Sequence, residues 1–289
     1  MKLAFVGNAL QEKFSQGVSN DEDTDLLNFL KAKGLDVSIV IWNDNQVNWS
    51  DYQVVIIKSP WDYHEHVSDF CKWLDYLESL HIKVLNPADI IKWNSNKHYL
   101  KEIQDKGLPV IPTEYVTKGN EFSSHFFEIF NTRNLVVKPC VSAGAKNTIT
   151  INEDRIIEKT EMINSLLAEE DFMVQPFVDE IKDGEWSFLF FSGKYSHCVL
   201  KTPKQDDFRV QHYHGGTISY PKPNPLHIAQ AEEYVRYLPQ QTLYARVDGV
   251  LIDNAFQLME LELIEPYLFL NSDPVLFENY YQALIQYIS

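Results

Sequence analysis

The stretch YARVDGVLIDNAFQLMELELIEP, from Tyr244 to Pro266, reads as two strands joined by a turn at Asp253-Asn254. It is mostly apolar, yet it carries Asp248, Glu260, Glu262 and Glu265. Carboxylates are seldom buried unless something positive neutralises them. The reading of the hairpin therefore turns on what that positive group is. Residues two apart in a strand share a face, so Glu260 and Glu262 point one way and Met259, Leu261 and Leu263 the other. Arg246 and Asp248 share a face in the same manner. A three-residue loop, Asp253 to Ala255, sets Asp248 opposite Glu260 and Arg246 opposite Glu262. A two-residue loop puts them on opposite faces, because a slip of one residue flips every side chain. In the first register like charges face each other, which is destabilising. A hard divalent cation resolves that conflict, and Mg²⁺ typically takes one or two carboxylates plus phosphate oxygens. The competing reading is a solvated outer face whose acids alternate with a core stripe.

The 289 residues suffice for two or three domains, and a hydrophobic content of 45% marks a folded globular chain. The net charge of −16 excludes the broad basic face that nucleic-acid binding needs, and it would repel anionic lipid. A phosphorylated small molecule would have to be held by a few local cations or by metal. Cys71, Cys140 and Cys198 are odd in number and unpatterned, which favours a reducing cytoplasm over a disulfide framework. No run has the length of a membrane-spanning helix, and MKLAFVGN reads as a first strand, not a signal peptide.

Residues 1–95 alternate strands with amphipathic helices, the pattern of a parallel, doubly wound α/β sheet. Ser19 and Glu22 fit a capping box at the start of the first helix, which ends at Gly34. A second unit, 96–180, begins with a helix capped by Ser95 or Asn96, and a third runs over 181–289. From Pro109 onward, NLVVKP, NTITI, FMVQPFV and GEWSFLFFSGKYSHCVLKT read as antiparallel strands with sparser helices, an α+β pattern.

Several positions invite a chemical reading. Lys138 follows three apolar residues in a strand, where a lysine either snorkels to solvent or meets a buried anion. Lys97 lies in a first helical turn, where only a bound anion would favour a cation. Arg209 precedes Gly215-Gly216, a pair that lets backbone approach a ligand closely or simply turns a surface hairpin. His212 and His214 have strand spacing but no third zinc ligand. Lys58, Ser59, Trp61, Asp62 and Tyr63 follow an apolar strand, and in open parallel sheets ligands sit beyond such carboxyl ends. This cluster suits an amino-acid-like molecule; otherwise it is a loop whose Trp61 packs on the next helix. No P-loop, dinucleotide fingerprint or Gly-x-Ser-x-Gly elbow is present.

Taken in order, Lys97, Lys138 in VVKP, SAGAKNT, MVQPFV, GEWSF, DFRVQHYHGG and the acidic hairpin resemble the ATP-grasp superfamily of carboxylate–amine ligases over nearly the whole chain. The resemblance is strongest to the glutathione-synthetase-like branch. KSPWDY, KWNSNKHYL and MELELIEP look most like its cycloserine-biosynthesis type. It implies an ATP-grasp fold with antiparallel sheets after the parallel-sheet unit, and these roles. Lys97 and Lys138 contact ATP phosphates under a loop around Ser142 and Gly144. Gln175, Pro176 and Phe177 form the adenine hinge, and Glu185 meets the ribose. Asp248, Glu260 and Glu262 hold Mg²⁺, with Mn²⁺ as an alternative, while Arg209 faces the transferred phosphoryl group and Gly215 and Gly216 the substrate. The loop SAGAKNT is poorer in glycine than the family's, and Glu262 stands where the family usually has asparagine. The implied activity is cytoplasmic ATP-dependent ligation. A small-molecule carboxylate is activated as an acyl phosphate, ADP leaves, and an amine completes the bond, with amino acids or a peptide as candidate substrates. A small-molecule kinase and a non-catalytic nucleotide binder are the alternatives.

Overall fold

The computed structural model describes residues 1–7, 22–144, 146–204, 209–210 and 215–289. Four parallel strands open the chain: β1 (Lys2–Gly7), β2 (Asp36–Ile41), β3 (Val54–Ile57) and β4 (Lys83–Leu85), in the order β2-β1-β3-β4. Alternation along β1 and β3 sends Leu3, Phe5, Val54 and Ile56 to one face, where helix Glu22–Ala32 covers them with Leu26 and Leu30. Ala4, Val6, Val55 and Ile57 go to the other face, under helix Val67–Ser79 and its Phe70, Trp73, Leu74 and Leu77. Both faces being apolar explains why VVII is an unbroken buried run.

A second sheet contains β5 (Glu114–Val116), β6 (Asn134–Pro139), β7 (Ile149–Asn152) and β8 (Phe172–Pro176), all antiparallel, in the order β5-β8-β6-β7. A third contains β9 (Glu185–Phe191), β10 (Lys194–Thr202), β11 (Thr217–Ser219), β12 (Tyr244–Ile252) and β13 (Ala255–Glu262), ordered β11-β10-β9-β12-β13. The architecture is thus the expected one, a parallel α/β sheet followed by antiparallel sheets. One apolar cluster runs from Leu3 and Phe5 through Leu189 and Phe191 to Tyr280 and Leu284 of helix Val275–Ile288, so the first and third sheets share a core. No helix among the described residues is long and apolar enough to cross a membrane.

One local expectation is corrected. Ser95 ends helix Ala88–Asn94, and the next helix, Tyr99–Asp105, begins two residues beyond Lys97, so Lys97 lies ahead of the first turn. Asn96 Oδ1 accepts the His98 amide there at 3.0 Å. The two oxygens of Glu22 accept the amides of Leu268 and Leu270, both at 2.8 Å. Ser19 lies outside the described residues.

Candidate active site

The hairpin has the register that brings its charges together: Arg246 faces Glu262 and Asp248 faces Glu260. It reaches this by a different route from the three-residue loop. The turn is only Asp253-Asn254, both in the left-handed region at φ 50° and 63°, as a type I′ hairpin turn requires. From Ile252–Ala255 to Gly249–Leu258 the ladder is regular. It then skips Met259, so that Asp248 pairs with Glu260. This one-residue bulge undoes the flip that a two-residue loop would impose. Gly249 makes it possible, because a Cβ there would overlap the Gln257 carbonyl. The bulge also corrects the expected stripe. Leu258, Leu261 and Leu263 share one apolar cluster, whereas Met259 packs against another with Phe177, Ile111 and Val250.

Strand β13 is a sheet edge; the main chain at Pro109 and Ile111 satisfies it at Leu258, and buried side chains satisfy it further on. Asn94 donates to Leu261 O at 2.7 Å and accepts from Leu263 N at 3.0 Å. The Tyr99 hydroxyl accepts from Leu261 N at 2.8 Å, and Asn86 donates to Leu263 O at 2.8 Å. The acids are therefore carried on a strand clamped from both sides.

The positive charge opposite those acids comes from the chain itself. Asp248, 2% exposed, lies between Arg246 and Lys201. It accepts from Arg246 Nε at 3.0 Å and Nη2 at 2.9 Å, and its Oδ2 is 3.1 Å from Lys201 Nζ. Arg246 also pairs with Glu262, and Lys201 with Glu185. Glu260 is 3.1 Å from Lys97 Nζ, which donates to Ser142 O at 2.8 Å. Lys138 reaches over from the second sheet. It faces Met173 in the ladder, on the same side as Gln175, and acts electrostatically on Glu260.

Electrostatics separate the acids. Burial pushes Asp248 up, but Arg246 and Lys201 outweigh it and hold the carboxyl well below its usual range. Glu260 is likewise lowered, with Lys97 and Lys138 overcoming burial. Glu262 goes the other way. Burial, aided by Asp248 and Glu260, outweighs Arg246 and pushes it up to about 7. Burial and the neighbouring acids Glu262 and Glu260 also raise Glu265 well above a normal carboxyl. Burial holds Lys138 below its usual value, with Lys97 adding to the effect. Five carboxylates, Glu185, Asp248, Glu260, Glu262 and Glu265, thus meet four cations, Lys97, Lys138, Lys201 and Arg246.

Other expected residues fall around this centre. Ser142 is buried beside Lys97, and Gly144 turns the same loop with φ 61°. Gln175 is buried and donates to Thr113 Oγ1 at 2.8 Å. Pro176 ends β8, and Phe177 leads from the second sheet toward β9, its amide held by Asn134 O at 2.8 Å. Arg209 is half-buried; 205–208 and 211–214 lie outside the described residues, and with them His212 and His214. The close approach that Gly216 permits is to the chain's own Val210 carbonyl, and Gly215 turns at φ 88°. Lys58 and Ser59 do not line an open loop. Both are 0% exposed, Lys58 lying 3.2 Å from Glu22 and 3.0 Å from Asp23, with Ser59 bonded to Asp23. Asp62 accepts from Trp42 Nε1 at 2.8 Å. Trp61 is half-buried, and Tyr63 is buried, which raises its hydroxyl well above its usual value, with the nearby acids Glu265, Glu260 and Glu262 adding to the effect.

Three charged groups were given no role by the sequence reading, although Arg246 and Glu265 were counted among the hairpin's charges. Arg246 had a visible cue, two residues before Asp248 on the same strand face. Lys201 had none, since only the β9–β10 register sets it opposite Glu185. Glu265 lies past the end of β13, where strand parity no longer tells direction.

The chain matches two family models in succession: the N-terminal domain of D-cycloserine synthetase DcsG over residues 4–86, and the prokaryotic glutathione synthetase ATP-grasp domain over 100–244. The cycloserine biosynthesis protein DcsG of Streptomyces lavendulae is 26% identical over 182 residues, 61% of this chain and 60% of that protein. The matched stretch thus spans about three fifths of that relative's length. A crystal structure of D-cycloserine synthetase DcsG superposes with a TM-score of 0.86 at 24% identity, covering 100% of both chains. D-alanine–D-alanine ligase from Bacillus anthracis complexed with ATP gives 0.75 at 13% identity, over 99% of this chain and 96% of that one. These two likenesses establish the fold. Because the ATP-grasp model spans half of the 289 residues, the chain belongs to the ATP-grasp family of the prokaryotic glutathione synthetase type.

Proposed function

We propose that the protein is a cytoplasmic, ADP-forming, ATP-dependent carboxylate–amine ligase acting on small amino-acid-like substrates. The observation that carries this reading is the charged face of the β12–β13 hairpin, opposed by Lys97 and by Lys138 from another sheet. Family membership and the names of the relatives support it. In this reading 1–95 is a substrate unit, 96–180 a lid and hinge, and 181–289 the acidic floor. Lys97 and Lys138 bind the triphosphate, and the Ser142–Gly144 loop covers it. Gln175, Pro176 and Phe177 receive the adenine beside Met259, and Glu185 meets the ribose.

Among the described residues no three acids already stand as a metal-ligand group, since Asp248 and Glu262 are turned to Arg246, so a hard divalent cation would have to draw them from that pairing. Asp248, Glu260 and Glu262 lie on one face of the hairpin, and Glu262 is pushed up to about 7 by burial and by the two other acids, a crowding that a bound cation would relieve. Mg²⁺ or Mn²⁺ held there would neutralise the triphosphate. The protein's own groups do the rest. Lys97 and Lys138 draw charge from the γ-phosphoryl oxygens as the substrate carboxylate attacks phosphorus and ADP departs. Arg209, with Arg246 behind the acids, steadies the oxyanion that forms when an amine attacks the acyl phosphate. The closed loop excludes water from that anhydride. No side-chain nucleophile is called for. Tyr63 lies near the acids and Trp61 meets the Glu265 carbonyl; with Asp62 they are proposed to meet the substrate, as are Gly215 and Gly216. For Lys58 and Ser59 the burial argues for a supporting part instead. Screening amino acids and short peptides for ATP-dependent phosphate release tests the proposal; no release above background with any of them would refute it.

A further inference from the structure

Directly after Glu262 the chain forms a strap, 263–270, with little regular structure. Such a segment must find a partner for each backbone polar group. Here five consecutive carbonyls are each taken by a different side chain. Ile264 O shares the Tyr244 hydroxyl, at 2.8 Å, with Ile57 O, while Glu265 O accepts from Trp61 Nε1 at 3.3 Å and Pro266 O from Lys58 Nζ at 3.2 Å. Tyr267 O accepts from Arg246 Nη1 at 3.0 Å and Leu268 O from His197 Nε2 at 2.8 Å. The amides of Leu268 and Leu270 end on the two oxygens of Glu22.

Two ion-pair systems therefore meet on this strap. On one side Lys58, Glu22 and Asp23 form a cluster between 0% and 3% exposed, drawn from the first sheet and its first helix. On the other, Arg246 holds Asp248 and Glu262. Burying three charges costs several kcal/mol per ion, a cost that apolar residues would avoid. Packing alone does not call for them. What the charges do is fix the strap on either side of Tyr267, with Lys58 on Pro266 and Glu22 on Leu268. The Tyr267 carbonyl in turn fixes one edge of the Arg246 guanidinium.

We propose that Glu22 and Lys58 are positioning residues: through Pro266 and Leu268 they set the Tyr267 carbonyl, and so the guanidinium of Arg246 against Asp248 and Glu262. The consequence for turnover rests on the ligase reading; the mechanical link from Glu22 to the strap does not.

A double-mutant cycle tests it. Glu22→Gln keeps the side chain's size but offers one acceptor where two amides converge. Its expected effect is a fall in kcat of about tenfold or more, since small misplacements far from the chemistry carry such costs. KM for ATP should stay within about twofold, the signature of lost transition-state positioning. In an Arg246→Lys background the same change should cost no more than about twofold further, because residues acting through one another are not additive. An equal loss in both backgrounds, or a loss in KM alone, overturns the proposal. If Glu22→Gln fails to fold, Lys58→Arg, which keeps the charge, replaces it with the same expected and contrary outcomes. If the unaltered protein forms no ADP with any carboxylate, the ligase reading fails. The positioning link is then read by hydrogen exchange at Leu268 and Leu270, where Glu22→Gln must speed exchange. Unchanged exchange at both amides overturns it.

Discussion

Asp248 and Glu260 face each other across the β12–β13 ladder, yet each carboxylate has its own cation, Lys201 at 3.1 Å and Lys97 at 3.1 Å. The two acids differ in exposure, with side chains 4% and 34% accessible. That difference separates stability from function. Asp248→Asn removes the buried acid between Arg246 and Lys201, leaving only Glu262 and Glu185 to offset them, so it should lower stability by on the order of 3 kcal/mol at pH 7. Glu260→Gln should cost less than about 1 kcal/mol. Both should reduce ATP turnover by at least about a hundredfold. Urea unfolding and ADP release measure the two effects, and full activity in either variant would mark that acid as a mere surface group.

Glu262 gives the free protein a characteristic pH response. Its carboxyl is pushed from 4.5 up to about 7 in the folded chain. The folded state therefore holds a proton that the unfolded state has released, and the resulting stability is present below about pH 4.5 and lost as pH rises through about 7. Asp248 and Glu260 are lowered and act in the opposite sense, losing their contribution only in more acidic solution. Between pH 5 and 7.5 the unaltered protein should lose more stability than Glu262→Gln. Parallel pH profiles would contradict the assignment.

ATP with magnesium should raise Tm. At about a hundred times Kd the linkage adds about 2.7 kcal/mol, several degrees for a chain of this size. A chelator should remove most of the gain. Lys138→Met should remove it as well, because a half-buried lysine held below its usual value is stabilised by a bound anion. A full thermal shift in Lys138→Met would place the phosphates elsewhere.

Lys58 and Asp62 should part company. Lys58→Ala strands Glu22 and Asp23 in the interior and should cost about 3–5 kcal/mol. Asp62→Ala loses chiefly the bond from Trp42 and should cost about 1 kcal/mol, while raising KM for the substrate and leaving KM for ATP unchanged. Equal stability losses would mean that the buried cluster is not the brace described above.

The hairpin shows what the sequence made legible and what it hid. Strand parity placed Arg246 with Asp248 and Glu260 with Glu262, because a period of two is a local property. The register was reachable only as one of two loop choices, and neither anticipated a two-residue turn rescued by a bulge at Met259. A bulge carries no local mark except Gly249, whose need arises from the facing strand. The parallel sheet was legible from VVII and its flanking amphipathic helices. The partners of Lys58 were not, since Glu22 and Asp23 come from the first helix and Pro266 from the far end of the chain. A lysine at a strand's carboxyl end looks the same in sequence whether it faces a ligand or a buried acid.

The central claim is that ATP activates a carboxylate by γ-phosphoryl transfer. It is tested most directly by incubating the protein with ATP, Mg²⁺ and a panel of amino acids and short peptides carrying ¹⁸O in their carboxylates, then weighing the released phosphate. The account predicts ADP and phosphate bearing one ¹⁸O taken from the acid. AMP with pyrophosphate, or phosphate without label, would contradict it.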